Sequence, residues 1–194
     1  MPGTLRARFL NIANYITMGR IVAVFLLLVL MLFVEDGGPI FSYIAAGFFL
    51  LVMISDMVDG YYARKCNITS TFGQFFDPLA DKLLFLVAMI LMIPLGRIPA
   101  WMVSLFLIRE VIVTALRSIA IDEGVVIAAS EWGKYKSAFV TGATTAFLIH
   151  YRLWGIEWRM IGWVLIWPAL IFSMISGVHY IFGFVRELKK QKSG

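Results

Sequence analysis

Long apolar runs, most of them close to the length of a bilayer crossing, follow one another along this sequence with only short polar links between them. A helix needs about 20 mostly apolar residues to cross a bilayer. Inside hydrocarbon, only helices and closed barrels keep every backbone polar group bonded. Six stretches fit, at about Ile12–Val34, Ile40–Val58, Phe72–Pro94, Ile98–Ala120, Gly133–Leu153 and Met160–Phe184. The first ends at the turn cluster Glu35-Asp36-Gly37-Gly38-Pro39. Ahead of it, Leu5, Phe9, Leu10 and Ile12 alternate with Arg6, Arg8 and Asn11, a pattern suited to a short interfacial helix. A signal peptide is disfavoured, because the run is too long and no small-x-small cleavage site follows it. The expectation is an all-α integral membrane protein, one domain over residues 1–194, with six transmembrane helices and a short N-terminal interfacial helix.

Composition supports this and narrows the partners. The chain is 61% hydrophobic and 15% charged, against about 45–50% and about 25% in soluble domains. The net charge is +5, but the basic residues flank hydrophobic helices, which points to membrane lipids and not to nucleic acid. One cysteine, Cys66, excludes an internal disulfide. Lysine and arginine gather on one side of the membrane (Arg6, Arg8, Arg64, Lys65, Lys189, Lys190), with only Arg97, Arg152 and Arg159 on the other. By the positive-inside rule both termini and the 56–81 segment face the cytoplasm.

The third run carries a conflict that leads to the chemistry. Its uninterrupted apolar part, Leu83–Leu95, rises only about 20 Å, against about 30 Å of hydrocarbon. To span, the helix must extend back through Lys82, Asp81 and Asp77. Charges at such depth cost about 2.5–3.5 kcal/mol each and default to a functional role. Asp56 and Asp59 form a second pair at helical spacing. A turn at Asn67–Ser70 would fold the two segments together so that all four acids converge. Four carboxylates at close quarters repel, and a divalent cation is their natural partner; oxygen ligands suit magnesium, manganese or calcium better than zinc. The alternative is that the acids only pair with Arg64, Lys65 and Lys82 at a helix end.

Asp56, Asp59, Gly60, Ala63, Arg64, Gly73, Asp77 and Asp81 together meet the pattern D-x2-D-G-x2-A-R-x8-G-x3-D-x3-D without a mismatch. This resembles the signature of the CDP-alcohol phosphotransferase family, integral membrane enzymes of phospholipid synthesis. The resemblance implies that Asp56, Asp59 and Asp77 are metal ligands for magnesium or manganese, two ions per site. It implies that Asp81, at the same metal site, is the catalytic base. One carboxylate left outside the inner ligand shell keeps the basicity this role needs. CDP binding falls by the same resemblance to Asp56, Asp59, Gly60, Ala63, Arg64, Gly73 and Asp77, with Asn14, Thr17 and Arg20 lining the nucleotide end. On physical grounds alone Arg20 could equally snorkel to the interface. A homodimer is also implied.

A second polar cluster spans residues 109–136. Glu110 and Arg117 lie seven residues apart, nearly on one helix face, with Arg109 beside them and Lys134 and Lys136 following. Cations within a spanning helix near four acids fit a pocket for an anionic acceptor. The alternative is that Arg109 and Arg117 merely compensate Glu110 and the acids. The run RE-x5-LR, the later GKYKS and the opening NIANYITMGRI resemble the members of the family that use glycerol 3-phosphate. Ala13 and Ser137 depart from the usual proline and threonine without removing a charge. The resemblance implies transfer of a phosphatidyl group from CDP-diacylglycerol to the 1-hydroxyl of sn-glycerol 3-phosphate, in a bacterial inner membrane. Inositol phosphate, serine or phosphatidylglycerol are rival acceptors. An ion-coupled transporter is the rival of another class, disfavoured because no repeated halves are visible.

Overall fold

The computed structural model describes residues 3–65, 82–123 and 132–192, with side chains described over 18–55, 82–120, 123 and 135–188. Six helices appear among the described residues: α1 (Gly3–Leu32), α2 (Gly38–Lys65), α3 (Lys82–Leu91), α4 (Ala100–Asp122), α5 (Trp132–Ile149) and α6 (Trp158–Lys192). Two-residue strands β1 (Arg152–Leu153) and β2 (Ile156–Glu157) form a hairpin between α5 and α6. α5 packs along α6, which also receives α4, while α2 lies against α5 and α1 against α2.

Turn chemistry explains most boundaries. Gly37 N–H closes on the Phe33 carbonyl at 2.9 Å, ending α1. Pro39 then sits just inside the start of α2, where a missing N–H costs nothing. α3 stops at Leu91, before Pro94, which disfavours the helical conformation for its predecessor. The last carbonyls of α5 lack intrahelical donors, and Arg97 supplies them. Its guanidinium donates to the Phe147 and Leu148 carbonyls (3.2 and 2.7 Å) and to Ser42 Oγ on α2 (2.7 Å).

The distribution of side chains is that of a protein in lipid. Leu27, Phe49, Met89, Phe106, Phe147 and Ile166 fill the centre of the bundle. Phe25, Ile40, Leu51, Val111, Val164 and Phe182 stand on its outside, while Glu110, Thr144, Ser173 and Ser176 are inside. Apolar exteriors on this scale mark contact with membrane.

Two expectations need revision. No separate interfacial helix precedes the first span, because α1 runs unbroken from Gly3 to Leu32; no Gly or Pro between Thr4 and Met18 interrupts it. Among the described residues, two helices carry an apolar stretch long enough to cross a membrane by length and composition, Gly38–Ser55 and Trp158–Leu188. Shorter apolar helices are described at Met18–Leu32 and Lys82–Leu91, while α4 carries Arg109, Glu110, Arg117 and Asp122, and α5 carries Lys134 and Lys136 near its start. The fifth segment stops at Ile149 and not at Leu153, because His150 turns the chain with φ 59°. The hairpin follows, its two central residues Trp154 and Gly155 both at positive φ (52° and 77°). That combination is the turn whose twist matches a two-residue hairpin.

Candidate active site

Glu110 is the centre of the charged cluster described in this protein. α4 carries it on the face that turns inward between Phe106 and Val113, and only 4% of its side chain is exposed. A carboxylate so placed requires charged partners, since taking an ion out of water costs several kcal/mol. Three cations supply them. Arg109 Nη1 donates to Glu110 Oε1 at 2.7 Å, Lys136 of α5 donates to the same oxygen, and Lys82 Nζ of α3 lies 3.6 Å from Oε2.

Neighbouring groups hold these cations in turn. Lys82 also donates to the Thr114 hydroxyl, one turn beyond Glu110, and that hydroxyl donates to the Glu110 carbonyl at 2.7 Å. Arg109 leans on α6, where Nε donates to the Ser173 carbonyl at 3.1 Å and Nη2 to Ser176 Oγ at 2.5 Å. Gly177 makes that approach possible. A Cβ there would stand 3.1 Å from Arg109 Cγ and 3.4 Å from Nε.

The cations named from sequence therefore separate. Arg109 and Lys136 join the Glu110 cluster, whereas Arg117 stands two turns further along α4 with its guanidinium 6.0 Å from the Tyr180 ring centroid. Compensation of Glu110 thus falls to Arg109, Lys136 and Lys82. Lys134 lies in the first turn of α5, its side chain outside the described residues. Lys82, Thr114, Ser173, Ser176 and Gly177 were not singled out as site residues. The available signals are a lysine directly after Asp81 and a small pair, Ser176 and Gly177, one helical turn after Ser173 in an apolar stretch.

Asp56, Asp59, Gly60, Ala63 and Arg64 all fall in the last turns of α2. Asp56 and Asp59 are thereby placed one turn apart, on neighbouring positions of one face. Their side chains, and those of Asn14 and Thr17 in α1, lie outside the described residues, as do Gly73, Asp77 and Asp81 altogether. Arg20 is partly exposed on α1. Among the described residues no three His, Cys, Asp or Glu side chains gather as a metal site.

A group of tryptophans and His150 sits toward the other end of the bundle. Trp154 is 87% exposed at the hairpin tip, and Trp101 pairs with Trp167 at 6.2 Å, whereas Trp158 and Trp163 pack against the core. Burial and the nearby Arg97 and Arg159 charges lower the pKa of His150, beyond the end of α5.

Comparison with known proteins places this arrangement. Residues 10–175 match the family profile described as CDP-alcohol phosphatidyltransferase. The CDP-diacylglycerol–glycerol-3-phosphate 3-phosphatidyltransferase of Bacillus subtilis (strain 168) is 36% identical over 179 residues, covering 88% of this chain and 93% of that protein. A probable phosphatidylglycerophosphate synthase of Mycobacterium tuberculosis (strain H37Rv) is 32% identical over 183 residues, covering 94% and 86%. A second 3-phosphatidyltransferase of the first kind, from Rickettsia felis, is 30% identical over 171 residues, covering 88% and 93%. With the profile matched along most of its length, the chain belongs to the CDP-alcohol phosphatidyltransferase family of membrane enzymes.

Proposed function

We propose that this chain, acting as a single membrane domain, transfers the phosphatidyl group of CDP-diacylglycerol to the 1-hydroxyl of sn-glycerol 3-phosphate. The products are phosphatidylglycerophosphate and CMP. The observation that carries the acceptor assignment is the partly buried group of Arg109, Lys136 and Lys82 around the buried Glu110. Cations gathered inside a membrane bundle suit an acceptor that brings its own negative charge. Lys82 follows Asp81 directly in the chain, so this group adjoins the acid segment. The names of the relatives point to the same acceptor.

The donor set fits a hard divalent cation, being four aspartates with two of them one turn apart on α2. Asp56, Asp59 and Asp77 would hold it, with Asp81 at the same site, as two magnesium or manganese ions. When bound, such ions supply Lewis-acid polarisation of the pyrophosphate. The chain's own residues do the rest. Asp81 takes the proton of the acceptor's 1-hydroxyl as that oxygen bonds to the lipid-linked phosphorus. The bond from this phosphorus to the bridging oxygen breaks, and CMP leaves with the electron pair. Arg64 faces phosphate charge, while Gly60, Ala63 and Gly73 leave room for the nucleotide beside Asn14, Thr17 and Arg20. Arg109, Arg117, Lys134 and Lys136 hold the acceptor's phosphate. The proposal includes a homodimer in a bacterial plasma membrane, with both termini and the site on the cytoplasmic side, where lysine and arginine predominate.

The test is CMP release by purified protein in detergent, given CDP-diacylglycerol, magnesium or manganese, and one acceptor at a time. Release with glycerol 3-phosphate alone, abolished by chelator and restored by the metal, is the expected result. Release with inositol phosphate, serine or phosphatidylglycerol instead would overturn the acceptor. Folded protein that releases no CMP with any acceptor would overturn the reaction.

A further inference from the structure

The geometry points to Glu110 as a positioning residue for the acceptor's phosphate. Its buried carboxylate holds Lys82, Arg109 and Lys136, each from a different helix, in the array that the phosphate then meets. This inference rests on the phosphorylated-acceptor reading given above.

The array is set by protein groups alone. Glu110 Oε1 receives Arg109 Nη1 at 2.7 Å and the Lys136 ammonium, and Oε2 lies 3.6 Å from Lys82 Nζ. α6 fixes Arg109 from behind through Ser173 and Ser176. Lys136 thus spends one of its three donors on Glu110, and Arg109 spends one of its five there and two on α6. Both keep hydrogens for a phosphate oxygen.

A group of cations inside a bundle is unstable without an anion at its centre. Lysine has a flexible stem and keeps one position only where a partner fixes its ammonium. Without Glu110 the Lys136 ammonium would lose the anchor that holds its long stem, and the phosphate would have to regather it on binding. With Glu110 in place the donors are already spaced, and binding avoids that ordering cost.

A simpler account predicts the opposite sign. If Glu110 only competed with the phosphate for these donors, neutralising it would free them and tighten binding. Glu110→Gln separates the two.

The experiment uses the full chain in detergent and measures KM for glycerol 3-phosphate and for CDP-diacylglycerol, with inorganic phosphate as competitive inhibitor. In Glu110→Gln the acceptor KM and the phosphate inhibition constant should each rise about ten- to hundredfold, the loss of one charge-assisted hydrogen bond. The liponucleotide KM should stay within about twofold, since uniform damage would move both. Glu110→Asp, which keeps the charge at shorter reach, should recover part of the loss. Lower or unchanged acceptor KM and phosphate inhibition in folded Glu110→Gln would overturn the inference, as would an equal rise for both substrates. Should Glu110→Gln not survive purification, Glu110→Asp decides: a rise confined to the acceptor supports the positioning role, and an equal rise refutes it. Wild-type protein that ignores inorganic phosphate and turns over only an uncharged acceptor would defeat the acceptor reading itself, independently of any variant.

Discussion

Gly177→Ala tests how tightly the cluster depends on α6, because two effects of known sign oppose each other there. The added methyl would stand 3.1 Å from Arg109 Cγ and 3.4 Å from Nε. Carbon contacts relax at about 3.5–4.0 Å, so the arginine must retreat by roughly 0.5 Å. Its Nε donates to the Ser173 carbonyl at 3.1 Å, and that retreat takes the pair out to about 3.5 Å, past a useful hydrogen bond. Losing a bond from a charged donor costs about 1.5–3 kcal/mol. Alanine regains about 1 kcal/mol of helix propensity over glycine. The net is a loss of about 1 kcal/mol, or about 2–4 °C in Tm for a chain of this size. Activity should fall more than stability, with the acceptor KM raised several-fold and the liponucleotide KM unchanged. Gly47→Ala in α2 is the control, since its Cβ would meet nothing within 4 Å, and it should only gain stability. Thermal unfolding in detergent and CMP release measure both quantities. A Gly177→Ala protein with raised Tm and unaltered acceptor KM would show that Arg109 yields at no cost, and the positioning argument for α6 would fail.

Other perturbations separate the two ends of the bundle. Arg97→Met removes a buried guanidinium that bonds the Phe147 and Leu148 carbonyls and Ser42, and should cost about 2–5 kcal/mol of stability, since each buried group left unpaired costs about 1–3 kcal/mol. Its acceptor KM should not change, because Glu110 lies ten residues along α4 from Ala100, about 15 Å away; a selective KM effect would show coupling between the ends. Asp81→Asn should lower turnover by about 10²–10⁴-fold, the usual weight of a general base, while CDP-diacylglycerol still binds in equilibrium dialysis. Wild-type turnover in that variant would remove Asp81 from the mechanism.

How far the sequence could be read depended on which physical term set each feature. Hydropathy located the helices, because the cost of bare backbone in lipid is large and local. It misplaced their ends, because it marks where lipid stops and not where the hydrogen-bond ladder stops. α2 continues from Val58 to Lys65 and α6 from Phe184 to Lys192 through residues too polar for hydrocarbon but well suited to a helix. The same reasoning accounts for α1, whose arginines at positions 6 and 8 break the apolar run and not the helix. The hairpin at Arg152–Glu157 left only Gly155 as a signal, since Trp154 is an unusual occupant of a positive-φ turn position.

The cluster around Glu110 shows where such reading runs out. Spacing along α4 paired Glu110 with Arg117, and the two do share a helix face. Yet the carboxylate is met by Arg109, by Lys82 from α3 and by Lys136 from α5, while Arg117 lies over Tyr180 of α6. Sequence periodicity fixes which residues share a face of one helix; it carries no information about which helix that face meets. The partners of a buried charge are chosen by the second step, so the acid and its neighbour Arg109 could be paired from sequence, but Lys82 and Lys136 could not be assigned to it. That order of determination also explains why α6 supplied no site residue in advance. Its contribution is a carbonyl, a serine hydroxyl and the missing side chain of Gly177, and each acquires meaning only when Arg109 is laid against them.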